Sequence, residues 1–242
     1  LNTAAKQKSD VIEQTELIID CKLNPSGINL DCLDAQNGLE PFGEGNPQPI
    51  YAVYEAVIKN ITSLSNGKHI KIEFFKNGSI FQCFCWNKSI EAFGYAIGDT
   101  VDTAFTLSEN IYNQNRSLTV VLSDIRPSTI DFDDVFGEIN EYNNYLQNGK
   151  YTNDIPTRDE IGAVYRYIRS KNGFDGSADL FLYKTNVGGY FKTKIILDIL
   201  NELSLIKLSG TFSFFEIKLI NGDTKTDLEN SLILKKLREV VI

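Results

Sequence analysis

The stretch Leu39-Glu40-Pro41-Phe42-Gly43-Glu44-Gly45-Asn46-Pro47-Gln48-Pro49 sets the tightest limit on what this chain can fold into. Three prolines and two glycines in eleven residues exclude a helix interior or a central strand. Proline fixes φ, lacks an N–H donor and pushes the preceding residue into an extended conformation. Gly43 and Gly45 permit positive φ, and Asn46-Pro47 favours the start of a turn. A rigid, shaped connector is expected. A β-rich run begins directly after it, at Ile50-Tyr51-Ala52-Val53-Tyr54.

A length of 242 residues allows one large domain or two of ordinary size. The apolar fraction of 42% and charged fraction of 23% are those of a soluble globular protein. No apolar run approaches the ~20 residues of a membrane helix, and Leu1-Asn2-Thr3-Ala4-Ala5 opens no signal peptide. No methionine occurs anywhere, which reads as a piece cut from a longer protein. Cys21, Cys32, Cys83 and Cys85 are too few for a disulfide framework at this length. They are expected as buried free thiols, consistent with a reducing cytoplasm.

The net charge of −8 argues against a general nucleic-acid binder, but it is unevenly spread. Residues 1–49 carry three basic and eight acidic groups, whereas 50–126 carry seven of each. Residues 127–149 carry five acids and no basic group, and 150–220 carry ten basic and eight acidic groups. The acidity sits in the lead-in and in a linker, and the two candidate binding modules are neutral to slightly basic.

Residues 1–20 show helical spacing, with Val11, Ile12 and Leu17-Ile18-Ile19 as the apolar positions. Asn24-Pro25-Ser26-Gly27 is a turn, and Leu30 to Gly38 a short helix with Leu30 and Leu33 on one side. From Ile50 to Arg126 five strands are expected, at 50–62, 68–76, 79–86, 99–108 and 116–126. Ser65-Asn66-Gly67 and Lys76-Asn77-Gly78 carry the hairpin dipeptide Asn-Gly between alternating apolar runs. A helix-like stretch, Asn87 to Tyr95, separates the third strand from the fourth. Five strands with that helix are the pattern of an oligonucleotide-binding (OB) fold.

The connector resembles the one that leads into the OB domain of RecJ, a family of 5′-to-3′ single-stranded-DNA exonucleases. Leu17-Ile18-Ile19-Asp20 before the short helix is similar to the same family. So are Lys68-His69-Ile70-Lys71-Ile72, Gly98-Asp99-Thr100-Val101-Asp102, Leu107-Ser108-Glu109-Asn110 and Ser123-Asp124-Ile125-Arg126-Pro127, in that order. The resemblance covers residues 1–127. It implies a non-catalytic C-terminal part of an enzyme of DNA repair and recombination, located in the cytoplasm.

Thr129 to Gly149 reads as a solvated acidic connector. A second module then opens at Pro156, with Thr157 as helix cap and Glu160 completing a capping box. Helices are expected over 157–170, 177–184 and 190–204, then a hairpin over 205–220 and a last helix over 227–241. Three helices and a β-hairpin are the winged-helix pattern. Lys225-Thr226-Asp227-Leu228-Glu229-Asn230-Ser231 resembles the end of RecJ proteins with an extra C-terminal domain, as in low-GC Gram-positive bacteria. The whole is α+β and multi-domain. Its parts are 1–49 (lead-in and connector), 50–127 (OB-fold β-barrel), 128–155 (acidic linker) and 156–242 (mostly helical, winged-helix-like domain).

No catalytic or metal-holding constellation is visible. RecJ enzymes hold two divalent metal ions, Mn or Mg, on Asp-His-His and Gly-Gly-His motifs, and this chain has one histidine, His69. Asp131, Asp133 and Asp134 form a linear run without such partners. No cofactor is expected in this fragment, which by itself should be inactive as a nuclease. What remains is binding. OB barrels offer aromatics for bases and basic groups for phosphates. The candidates are Lys68, His69, Lys71 and Phe75 on the second strand, Phe81 and Trp86 on the third, and Tyr112, Asn115 and Arg116 in the last hairpin. Phe81 and Trp86 also fit a core, and His69 an ordinary surface position. Lys71 and Arg116 are the groups a barrel cannot easily bury. Lys192 and Lys194 mark the start of the third helix of the second module, where winged helices often enter a groove. DNA and protein partners are equally open there, and the family suggests single-strand-binding protein. The competing reading is a stand-alone OB/winged-helix adapter with no nuclease attached.

Overall fold

The structure is a computed structural model that describes residues 17–149, 155–220 and 226–240. It packs as two compact units. The first comprises the described residues up to Ile90 together with Asp102–Ile125; the second comprises Glu91–Val101 and the described residues from Arg126 onward.

The first unit is built on β1 (Cys21–Lys22), α1 (Leu30–Asn37), β2 (Tyr51–Leu64), β3 (His69–Lys76), β4 (Ser79–Cys85), β5 (Thr100–Tyr112) and β6 (Asn115–Pro127). The sheet order is β1-β2-β3-β4-β6-β5, and β2 also pairs with β5. That last pairing closes a five-strand OB-like barrel and removes the free edges of an open sheet. Ile58, Ile70, Ile72, Phe74, Cys83, Phe105 and Leu107 fill its interior, all fully buried. The strands alternate inward and outward because successive Cβ atoms point to opposite faces.

Sharp turns hold the register. Asn77 (φ 50°) and Gly78 (φ 80°) are the two central residues of the β3–β4 hairpin, the pair of positive φ values that an Asn-Gly turn supplies. β2 bends at Glu55, whose φ is 52°. Its N–H donates to Asp102 Oδ1 at 2.9 Å, and its carboxylate takes Lys76 Nζ at 2.8 Å.

The connector is rigid for a different reason from the one expected. Gly43 and Gly45 do not take positive φ. Gly43 and Asn46 exchange backbone hydrogen bonds, at 2.8 and 3.1 Å. The Asn46 side chain then donates to the carbonyls of Leu39 and Pro41, at 2.8 and 3.1 Å. One side-chain amide therefore closes the loop.

The N-terminal helix expectation falls on residues 1–16, outside the described residues, and on Leu17–Asp20, which are not helical. Asp20 instead exchanges bonds with Ile50: N–H to carbonyl at 2.9 Å, and carboxylate from N–H at 2.8 Å. β1 continues this pairing, parallel to β2. Tertiary pairing at the barrel entrance overrides the local apolar spacing.

The second unit contains α2 (Ile90–Phe93, from Glu91 on), α3 (Phe132–Asn148), α4 (Arg158–Ser170), β7 (Phe174–Ser177), α5 (Ala178–Thr185) and α6 (Tyr190–Glu202). β8 (Ile206–Gly210), β9 (Phe214–Leu219), a 3₁₀ turn at Leu228–Asn230 and α7 (Leu232–Val240) follow. Thr157 and Glu160 form the expected capping box. β7, absent from the sequence reading, makes the hairpin a three-stranded antiparallel sheet in the order β7-β9-β8.

The acidic stretch forms a helix, most of whose residues are exposed. Asp131 caps α3, and Ile139 and Tyr142 on its inner face are buried. Val135, Ile139, Tyr142 and Leu146 fall at helical spacing, and Asp131, Asp133, Asp134 and Glu141 are exposed. Among the described residues, no helix is long and apolar enough to cross a membrane. Of the four thiols only Cys83 is buried, and burial pushes it well above its usual range; Cys21, on β1 at the end of the sheet, is exposed.

Candidate nucleic-acid interface

The pairing of β3 with β4 decides which side chains the barrel shows to solvent. Ile70 lies opposite Cys85, Ile72 opposite Cys83 and Phe74 opposite Phe81. This set lines the interior. The alternate set faces outward: Lys71 opposite Phe84, Glu73 opposite Gln82 and Phe75 opposite Ile80.

Phe84 and Trp86 stack with ring centroids 5.4 Å apart and planes 10° from parallel. The His69 ring meets Trp86 edge-on at 5.1 Å, and His69 Nδ1 accepts the Asn87 N–H at 2.9 Å, which fixes the imidazole. Trp86 is 47% exposed and Ile80 62%. Lys59, at the β2 bulge, carries its ammonium 5.1 Å over the Phe75 ring. Lys68 is exposed and Lys71 half-buried, and among the described residues neither is taken up by a carboxylate. The result is an aromatic patch of Phe84, Trp86 and His69 beside Lys68 and Lys71, separated from Phe75 and Ile80 by the Glu73–Gln82 pair, in which Gln82 Nε2 donates to Glu73 at 2.8 Å.

Phe81 is a correction. It is 5% exposed and stacks on Phe74 at 5.1 Å inside the barrel, so it presents no face to a base. The outward aromatic of this strand is Phe84, which the sequence reading passed over. Phe81 and Trp86 are five positions apart and cannot share a face of one strand.

The β5–β6 hairpin projects Tyr112, 72% exposed, and Asn115 into solvent. Arg116, which is partly exposed, is paired with two carboxylates. Nη1 donates to Asp34 Oδ2 at 3.1 Å, Nη2 to Asp34 Oδ1, and Nε to Glu109 Oε1. These hydrogen bonds hold the Asp34 carboxyl below its usual range and push Arg116 further up.

Residues 19–124 match the RecJ OB domain family. They form a RecJ-like OB domain. A curated relative, the single-stranded-DNA-specific exonuclease RecJ of Bacillus subtilis (strain 168), is 22% identical over 138 residues; that region is 57% of this chain and 17% of the relative. The Mn2+ complex of RecJ from Thermus thermophilus is 26% identical, with a TM-score of 0.36 over 46% of this chain and 16% of that one. The second single-stranded-DNA-binding protein of Mycobacterium smegmatis is 23% identical, with a TM-score of 0.27 over 32% of this chain and 84% of that one. The chain thus spans about a sixth of the length of the RecJ proteins it matches.

The second unit lies almost wholly outside the matched RecJ OB segment. From Tyr190 to Leu200, no residue of α6 is exposed. Lys192 Nζ donates to Glu160 at 3.1 Å. Lys194 Nζ donates to Asp198 and, at 3.0 Å, to the Tyr142 hydroxyl of α3. Burial and then the Asp198 carboxylate push the Tyr142 hydroxyl up, so it stays protonated and donates to Asp198. Glu138 of α3 accepts the Phe191 N–H at 2.8 Å and so caps α6. A Cβ on Gly189 would collide with the Glu138 carboxylate, so the glycine admits that cap. Lys192 and Lys194 are therefore half-buried and tied within the fold by these partners. Among the described residues, no group of three or more His, Cys, Asp or Glu is arranged to hold a metal ion.

Proposed function

We propose that this RecJ-like OB domain grips single-stranded DNA on the outward face of β3 and β4, as the non-catalytic part of a RecJ-like exonuclease of DNA repair and recombination in the cytoplasm. The observation that carries the reading is the exposed Trp86, stacked on the half-buried Phe84 and braced by His69, beside Lys68 and Lys71. Every base has a π-face that can stack there, and the ammonium groups follow the phosphates. Duplex DNA hides those faces. The family match supports the reading, as does the name of the Bacillus relative, a single-stranded-DNA-specific exonuclease. Hydrolysis and its divalent metal, Mn or Mg, belong in this proposal to the catalytic part of the RecJ-like protein. No step is assigned to residues of this chain.

The second unit is proposed as a winged-helix-like module, from the order α4, β7, α5, α6, β8, β9. Its third helix has no exposed face to put into a groove, which favours a protein partner over DNA. Single-strand-binding protein is the partner the family suggests.

The test is a titration of labelled single-stranded and duplex oligonucleotides with the full chain, at low and moderate salt, with a nuclease assay alongside. Single strands should bind better than duplex, uncleaved, with a shallow salt slope of about two to four released counterions. No single-strand binding at low salt would make the barrel a spacer or a protein-docking surface.

A further inference from the structure

We infer that Arg116 is a positioning residue, which fixes the β5–β6 hairpin so that Tyr112 forms a second contact for the single strand. The inference rests on the single-strand reading of the barrel. The hairpin turns through Asn113 and Gln114, with φ of 47° and 64°. It holds two large side chains in the open, Ile111 at 66% and Tyr112 at 72% exposure. An isolated two-stranded tip is marginally ordered in water, so something must hold it if it is to bind in one place.

That support comes from α1. Leu33 is 1% exposed and Gln36 3%, so the helix is seated firmly. Gln36 Nε2 donates to the Leu107 carbonyl of β5 at 3.3 Å, and Gln48 Nε2 to the same oxygen at 2.6 Å. Farther along, Arg116 on β6 joins Asp34 of α1 to Glu109 of β5. The planar guanidinium matches a carboxylate with two parallel bonds, a geometry that lysine cannot reproduce. Ser117 Oγ closes the hairpin by donating to the Asn110 carbonyl at 3.1 Å. One guanidinium facing two carboxylates leaves the cluster net negative, a poor place for a phosphate. Its outcome is orientation. In OB folds the loop between the last two strands borders the binding face, which is where an oriented Tyr112 is useful.

The two roles for Arg116 predict opposite signs for one substitution. Asp34→Asn removes a negative charge and loosens the clamp. As a positioning residue, Arg116 then holds the hairpin less well, and single-strand affinity falls by up to about fivefold with the salt slope unchanged. Tyr112→Ala costs at least as much, and Asp34→Asn added to it has little further effect. Tighter binding with a steeper salt slope in Asp34→Asn would make Arg116 a phosphate ligand and overturn the inference, as would unchanged affinity. If the wild-type chain binds no single strand, the reading beneath has failed, and amide hydrogen exchange over residues 109–117 judges the clamp alone. Faster exchange in Asp34→Asn upholds the positioning role; unchanged exchange ends it.

Discussion

Lys71 on β3 and Lys194 on α6 look alike in the sequence. Each is a lysine on a regular element of a module whose pattern commonly meets DNA. The structure separates them by what stands beside them. Lys71 lies opposite Phe84 on an outward strand face, and no carboxylate takes it up among the described residues. Lys194 is held by Asp198 and Tyr142, with its ammonium 4.7 Å over the Tyr142 ring. A cation serves recognition only if its charge is left over after folding. The barrel face leaves charge and aromatic surface over; α6 consumes both.

The comparison breaks most readily at Phe81 and Trp86. Phe81→Ala should empty volume inside the barrel and cost about 3–5 kcal/mol of stability. Affinity per folded molecule should stay near wild type, measured by thermal melts beside binding. Trp86→Ala should reverse the pattern. It should weaken single-strand binding by about 1–3 kcal/mol, the range for one stacking base, with a small change in melting temperature.

Smaller effects sharpen the contrast between the lysines. Lys71→Ala should lower the single-strand salt slope by about 0.7, the share of one phosphate contact. Replacing Lys192 and Lys194 together by alanine should leave that slope unchanged. It should instead lower the melting temperature by a few degrees, as the loss of two ion pairs of roughly 0.2–1 kcal/mol each implies. A reduced slope in the double variant would return α6 to the DNA-binding surface.

The smallest effect concerns Asp99, in the second unit. Burial would raise its carboxyl, but hydrogen bonds from Lys184, the Ala96 N–H and Tyr183 hold it below the usual range. A carboxylate with a depressed folded pKa contributes stability above its unfolded value of about 3.9. That contribution is lost as pH falls through the folded value. Asp99→Asn should therefore melt lower at neutral pH and show a flatter melting profile below about pH 4.

Much of the barrel was legible because its signals are local. Asn77-Gly78 specifies its turn by positive φ, and Ile70-Ile72-Phe74 specifies the inner face by alternation. The site was legible in part. Alternation also ruled out pairing Phe81 with Trp86, and the spacing of Cys83 and Cys85 on one face pointed to Phe84 on the other. The fate of Arg116 was not readable, because Asp34 lies 82 positions away in sequence. Nor was that of Lys194, since Tyr142 reaches it from a helix that composition marked as solvated. The stripe Val135, Ile139, Tyr142, Leu146 carried the signal, hidden by the surrounding acids. β7 escaped notice because Phe174-Asp175-Gly176-Ser177 has turn composition, and only its pairing with β9 makes it a strand.

Trp86 is the only tryptophan in the chain, so its own fluorescence reports on the central claim. Titrating the full chain with an unlabelled oligothymidine should quench that emission in step with binding, because a base stacked on the indole takes the place of water. Trp86 follows the last residue of β4 at one end of the proposed face, stacked on Phe84 and touched by His69. Saturable quenching by single strands, weaker with duplex, is the predicted result. Binding detected by anisotropy with unchanged tryptophan emission would place the DNA elsewhere and contradict the account.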